Sequence, residues 1–221
     1  MTRFQAVIFD MDGVLVDSEP LHLRATQAAL GDRGHSFTER DNRAFFGATD
    51  EEVFRILRII FDLPASTGDL VEAKRSHLVA LIRAEAQPRP GVPDVLVWLR
   101  AAGLSLGLAS ASPRAVIHAV LETVGLADSF QAIVSGDEVA RGKPAPDGFV
   151  MAARRLAVAP EHCLVVEDSR NGVLAAKAAG MTVAAVPCPA TSHEDFTPAD
   201  LILPGLDALP KALALERLDQ G

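Results

Sequence analysis

Abundant cysteine, long apolar runs and an excess of basic residues are all missing from this sequence, and each absence closes off a class of protein. The two cysteines among 221 residues, Cys163 and Cys188, give no disulfide framework. No apolar stretch approaches the ~18 residues of a membrane-spanning helix, and the first residues lack the pattern of a secretory signal. A cytoplasmic location, with no membrane partner, is the expectation. Lys and Arg number 21 against 29 Asp and Glu, and the formal net charge of −8 argues against nucleic acid or an anionic membrane as the main partner. A small phosphate ester stays within reach, provided a local cation and backbone amides supply the attraction. Internal repeats and low-complexity tracts are absent, and a monomer is expected. His35, His77, His118, His162 and His193 have no metal-ligand spacing and read as surface residues.

What is present is ample core material. Hydrophobic residues make up 49% of the chain and charged residues 23%, a soluble globular composition. The length suits one large domain or a core with a smaller insert. The organising stretch is Phe4-Gln5-Ala6-Val7-Ile8-Phe9-Asp10-Met11-Asp12-Gly13. Its apolar run, rich in β-formers and bounded by acids and a glycine, predicts a buried parallel strand. Asp10 and Asp12 follow at the carboxyl end, where open α/β sheets hold their sites. Two apart on an extended chain, they point to one side, and like charges that close are costly unless a cation or a shared proton relieves them. Gly13 lets the chain turn sharply away.

Ser18, as N-cap, and Pro20 then mark a helix start. Residues 18–87 carry helical pattern and no strand, and read as a helical insert. One apolar face is Val53, Phe54, Ile56, Leu57, Ile60 and Phe61; a second helix over 70–86 turns Leu78, Leu81 and Ile82 inward, with Lys74 and Arg75 as solvated charges by default and substrate contacts as the alternative. Pro88, Pro90, Gly91 and Pro93 suit a stiff hinge. Beyond it the pattern alternates. A helix over 95–102, a strand over 104–109 ending at Ser110-Ala111-Ser112, and a helix over 113–124 capped by Ser112 come first. A strand at 132–134, a helix over 149–156, a strand over 163–166 running into Glu167-Asp168-Ser169, and a helix over 171–179 follow. A strand over 183–186, an edge strand at 201–203 and a closing helix over 206–218 complete the chain, with Cys163 in the core. Such alternation implies right-handed crossovers and a parallel sheet covered by helices on both faces.

Four strand ends thus carry distinctive polar groups: Asp10 with Asp12, Ser110, Lys143, and Glu167 with Asp168. Gly142-Lys143 lacks the following Ser/Thr and the glycine spacing of a P-loop. Converging on one sheet edge, these groups suit phosphoryl transfer. A carboxylate attacks phosphorus, a divalent cation held by oxygens offsets the charge, and a second acid protonates the leaving oxygen and later activates water. A serine and a lysine hold the remaining phosphate oxygens.

Asp10-Met11-Asp12-Gly13-Val14, Leu108-Ala109-Ser110-Ala111-Ser112, Lys143-Pro144, and Glu167-Asp168-Ser169 with Gly172, in this order, resemble the four motifs of the haloacid dehalogenase superfamily of phosphotransferases. The resemblance covers nearly the whole chain and is to the branch with a helical cap after the first motif. It implies a Rossmann-like, doubly wound α/β core over 1–17 and 88–221, with a helical cap over 18–87. It implies Asp10 as nucleophile, Asp12 as general acid and base, and Mg²⁺ on Asp10, the Asp12 carbonyl and Asp168, with Glu167 as an outer partner. Ser110 and Lys143 would bind the transferred phosphoryl group. Ser112 reads as helix cap first and substrate contact second, beside Ala111. Asn171 either lines the site or only opens a helix, and His22 either approaches the leaving group or sits on a helix face. A Mg²⁺-dependent phosphatase of a small phosphorylated metabolite is the expected function. A β-phosphoglucomutase-like phosphomutase is the alternative, and a receiver-type signalling module is disfavoured by the insert and by Asp12. Mutases of this branch grip a distal phosphate with a cap arginine; here the corresponding run is Gly47-Ala48-Thr49-Asp50, an acid in the arginine's place, with Arg43 or Arg55 on neighbouring turns as the alternative grip.

Overall fold

The computed structural model describes residues 4–45 and 48–218, the side chains of 215–218 excepted, so Gly47 lies outside the described residues. The chain divides into two compact units: Ser18–Ala86, and Met1–Asp17 together with Gln87–Gly221.

Strand β1 (Ala6–Phe9) opens the split unit, and the Ser18–Ala86 unit then interrupts it with helices α1 (Glu19–Gly31), α2 (Glu39–Arg43), α3 (Asp50–Ile60) and α4 (Thr67–Glu85). Three of these starts are reciprocal capping boxes: Thr38 with Asp41, Thr49 with Glu52, and Ser66 with Asp69. Ser18 stands at the N-cap of α1, but its backbone is already helical, so its hydroxyl does not cap. N-capping needs an extended residue there. Ala29, Leu30, Phe37, Phe54, Leu57, Leu63 and Leu70 form this unit's core. The expected face of α3 is narrower than its apolar residues: Phe54 and Leu57 are buried, while Ile59 and Ile60 are 73% and 62% exposed. Ile60, three on from Leu57, continues that spacing into the last residue of the helix but is left uncovered there.

The expected solvation of Lys74 is overturned. On α4 the buried stripe is Leu70, Lys74, Leu78 and Ile82, one residue every turn, so Lys74 points inward and is only 3% exposed. Its ammonium pairs with Asp50 at the start of α3 and lies 3.1 Å from His22 Nδ1 on α1. Arg75 stays outside and pairs with Glu72.

The split unit continues with α5 (Val92–Ala101), β2 (Ser105–Ala109), α6 (Arg114–Thr123), β3 (Ala132–Val134), α7 (Asp147–Leu156), β4 (Cys163–Glu167), α8 (Arg170–Ala178), β5 (Thr182–Ala185), β6 (Leu201–Ile202) and α9 (Leu209–Leu218). All neighbouring strands are parallel, in the order β3-β2-β1-β4-β5-β6. The sheet is thus doubly wound about β1, with β2 to one side and β4 to the other. Ile8 pairs with Gly107 and Val165, so the first strand sits at its centre and all four of its residues are buried. On one face Ala6, Ile8, Cys163, Val165 and Val183 pack with Phe149, Ala152, Val173 and Ala176 from α7 and α8. The continuous burial of β1 is what a strand covered on both sides requires.

Boundaries differ in physically readable ways. Helix α5 begins at Val92, so Pro93 sits in its first turn and only the earlier prolines lie in the connection. The N-cap of α6 is Pro113, not Ser112, whose hydroxyl is engaged elsewhere. The expected 206–218 helix is a tight turn at Leu206–Ala208 followed by α9.

Beyond β3, the Glu138 side chain accepts from Arg114 of α6, from Arg155 of α7 at 2.5 Å and from Ser135 N at 2.9 Å. The Arg155 contact, then Ser135 and Arg114, hold its carboxyl down to about 2 from an ordinary 4.5, against the opposing effect of burial. A depressed carboxyl contributes stability above its unfolded value that is lost as pH falls through its folded value. Glu138→Gln should therefore lower the urea midpoint most at neutral pH. The gap to wild type should close between 4.5 and about 2, and a gap independent of pH would count against this ionic tie.

Candidate active site

The site is built from what leaves the carboxyl ends of β1, β2 and β4. Asp10 still donates its backbone N–H to Val166 O at 2.9 Å, which seats its carboxylate at the sheet edge, 6% exposed. The chain then doubles back: Gly13 N–H donates to Val16 O and Leu15 N–H to Met11 O, both at 2.8 Å. Gly13 needs its positive φ of 77°, and a Cβ there would also fall on the Asp168 carboxylate. Arg89 fastens the loop, its guanidinium donating to Gly13 O and its backbone N–H to Leu15 O at 2.8 Å.

At the end of β4, Glu167 is fully buried and completely engaged. Its Oε2 accepts from Asp168 N and Ser169 N at 2.8 Å each and from Ser169 Oγ at 3.0 Å. Its Oε1 accepts from Lys143 Nζ at 2.5 Å, and the same ammonium reaches Asp10 Oδ1 at 2.5 Å. Gly172 is required beside it, because a Cβ there would overlap the Glu167 carboxylate. Lys143 also lies 4.9 Å from the Phe149 ring centroid, over its face. Carboxylate oxygens of Asp10, Glu167 and Asp168 all fall within 4.8 Å of one another.

The electrostatics follow from this crowding. Burial lifts the Asp10 carboxyl well above its usual range; Lys143 opposes that, while Glu167, Asp12 and Asp168 add to it. Burial and then Glu167 push Asp168 up to about 7. Burial works against the charge on Lys143, but Asp10 and Glu167 outweigh it and hold the ammonium above its ordinary value. Of the three clustered acids, Lys143 contacts Asp10 and Glu167 but not Asp168. An oxygen-only cluster short of positive charge suits a hard divalent cation such as Mg²⁺. With Glu167 saturated by Lys143 and turn donors, Asp10 and Asp168 are the carboxylates available to hold it.

Ser110 and Ser112 come from the end of β2. Ser110 donates its N–H to Val134 O, and its Oγ accepts from Ser112 N at 3.0 Å. Ser112 Oγ donates to Asp12 Oδ2 at 2.9 Å, which replaces the expected helix cap with a contact to the first motif. Ala111 lies between them, its carbonyl so close to Gly136 that a Cβ at 136 would collide with it. Asp10, Asp12, Ser110, Ala111, Ser112, Lys143, Glu167 and Asp168 thus all belong to the split unit and one sheet edge. Asn171 is exposed in the first turn of α8. His22 belongs to the other unit, beside Lys74. Sequence reasoning missed Arg89, and also Cys188 and Thr191, whose side chains both reach Asp168. The rule that drew attention to the other strand ends applied equally to the residues following β5.

Comparison with known proteins gives the same answer throughout. The model of haloacid dehalogenase-like hydrolases matches residues 4–180. A fructose-1-phosphate phosphatase of Escherichia coli, YqaB, is 35% identical over 182 residues, covering 81% of this chain and 94% of its own. The crystal structure of CbbY from Rhodobacter sphaeroides in complex with phosphate superposes with a TM-score of 0.85 at 32% identity, over 93% of this chain and 96% of that one. A β-phosphoglucomutase-like structure from Thermotoga maritima, described as putative, gives 0.80 at 29% identity over 96% and 99%.

Removing Lys143 should expose the repulsion it masks. Lys143→Met leaves two buried carboxylates without their counter-charge, a loss of about 3 kcal/mol in unfolding free energy. Urea unfolding reads it, and an unchanged midpoint would mean that the acids do not depend on this ammonium.

Proposed function

Since this chain belongs to the haloacid dehalogenase-like hydrolase family, we propose that it is a Mg²⁺-dependent phosphatase of a small sugar or polyol phosphate, acting through an aspartyl phosphate on Asp10. The observation that carries this is the Lys143 bridge, which ties Asp10 to Glu167 inside an oxygen cluster shared with Asp168. When bound, Mg²⁺ supplies charge neutralisation between nucleophile and phosphate, with Asp10, the Asp12 carbonyl and Asp168 as its protein ligands and Glu167 as an outer partner.

Asp10 attacks phosphorus with one carboxylate oxygen. The bond to the ester oxygen breaks, and Asp12 gives that oxygen its proton. Asp12, now ionised, takes a proton from water, whose oxygen attacks the aspartyl phosphate and releases inorganic phosphate and free Asp10. Ser110 and Lys143 hold the phosphoryl oxygens, and Ser112 orients Asp12. The names of the relatives support the substrate class: one is a fructose-1-phosphate phosphatase. Against the mutase alternative stands Asp50, an acid that forms an ion pair with Lys74 within its own unit. A carboxylate offers a second phosphate repulsion, not the paired hydrogen bonds of a guanidinium.

Asp10→Asn should abolish phosphate release across a panel of phosphorylated metabolites, by on the order of 10⁴-fold or more. Ser110→Ala should cost only ~10–100-fold, the worth of one charged hydrogen bond. Comparable activity in Asp10→Asn and wild type would remove the nucleophile from the scheme. Chelation should stop the reaction and Mg²⁺ restore it.

The acceptor is tested separately. With β-glucose 1-phosphate and a catalytic amount of glucose 1,6-bisphosphate, inorganic phosphate should form faster than glucose 6-phosphate. The reverse order would establish the mutase alternative.

A further inference from the structure

The carboxyl end of β5 adds a further pair of polar groups to this sheet edge. Val186 N–H donates to Glu167 O at 2.7 Å, and the chain then turns through Pro187 to Thr191. Thr191 N–H donates to Cys188 O at 3.1 Å, and Cys188 N–H donates to Thr191 Oγ1 at 3.2 Å, so the turn is closed at both ends. It presents Cys188 Sγ 3.1 Å and Thr191 Oγ1 3.4 Å from the same atom, Asp168 Oδ2. The thiol is buried, at 4% exposure. At that distance the S–H donates to Asp168 Oδ2. Asp168 Oδ2 is therefore closely surrounded: a Cβ at Gly13 would overlap it, and the thiol and hydroxyl approach the same atom.

We propose that Cys188, backed by Thr191, is a positioning residue: it donates its S–H to Asp168 Oδ2, fixes that carboxylate's orientation, and so sets the affinity for Mg²⁺. This rests on the Mg²⁺ assignment above. Physically, an Asp168 carboxylate without these two contacts is free to rotate about its side-chain torsions. One oxygen committed to two donors leaves the other oriented for a cation. Donors of this kind, acting on a ligand rather than on the metal, typically alter affinity 10–100-fold when removed.

The test is calorimetric titration of the metal-free full-length protein with Mg²⁺, in wild type, Cys188→Ala, Cys188→Ser and Thr191→Val. Cys188→Ala should weaken Mg²⁺ binding about tenfold or more, while kcat at saturating Mg²⁺ stays near the wild-type value. Cys188→Ser, which restores a donor, should recover most of the affinity, and Thr191→Val should weaken it less than Cys188→Ala does. A purely structural role would lower thermal stability without this pattern in affinity. Should Cys188→Ala fail to fold, the Ser and Val variants still decide: a Cys188→Ser protein that is folded but binds Mg²⁺ tenfold more weakly overturns the hydrogen-bond role. Wild-type affinity in a folded Cys188→Ala overturns the proposal alone. Absence of Mg²⁺ binding in wild type overturns it together with the metal assignment.

Discussion

The ammonium of Lys143 is the interaction on which the rest of this sheet edge depends. Asp10 and Glu167 are buried and close together, and each accepts from Lys143 Nζ at 2.5 Å. Without that charge, the end of β1 and the end of β4 would repel each other where the sheet brings them side by side. The same ammonium cannot also neutralise Asp168, and that residual imbalance makes the cluster a place for a cation. Stability and catalysis pull in opposite directions here: the charge that chemistry needs is one that folding alone would leave out.

Several devices keep the arrangement rigid without further charge. Glu167 Oε2 is saturated by the amides and hydroxyl of the turn that starts α8, which fixes the carboxylate whose Oε1 meets Lys143. Gly13 and Gly172 are present because neighbouring carboxylates occupy the space a side chain would take. Arg89, just past the second crossing between units, pins the loop after Asp12 through Gly13 O and Leu15 O. Each device acts on backbone geometry, which is how a few short loops hold acids in place at the edge of a sheet.

The helical unit solves a similar problem with different parts. Lys74 is buried on α4 with Asp50 and His22 as partners, so a cation sits inside a small helical core without a bare charge. Asp50 serves at once as the first residue of α3, where an acid favours the helix dipole, and as the counter-ion.

The amino-acid sequence alone determined the order of strands and helices, the parallel sheet and the strand ends that carry Asp10, Ser110, Lys143, Glu167 and Asp168. Those follow from local rules: a period of two or of 3.6, a glycine or proline at an end, and the placement of sites beyond the carboxyl ends of strands. Which of those groups touch was decided only by the tertiary structure. Ser112 caps no helix because Asp12, 100 positions away in the chain, takes its hydroxyl. Lys74 looked solvated because periodicity assigns a face but not the partner that makes a charge tolerable there. Cys188 lies 20 positions from Asp168, and nothing in either local pattern refers to the other. They meet because parallel β4 and β5 pair in register and end together, and contacts between loops leaving different strands depend on that pairing rather than on local sequence.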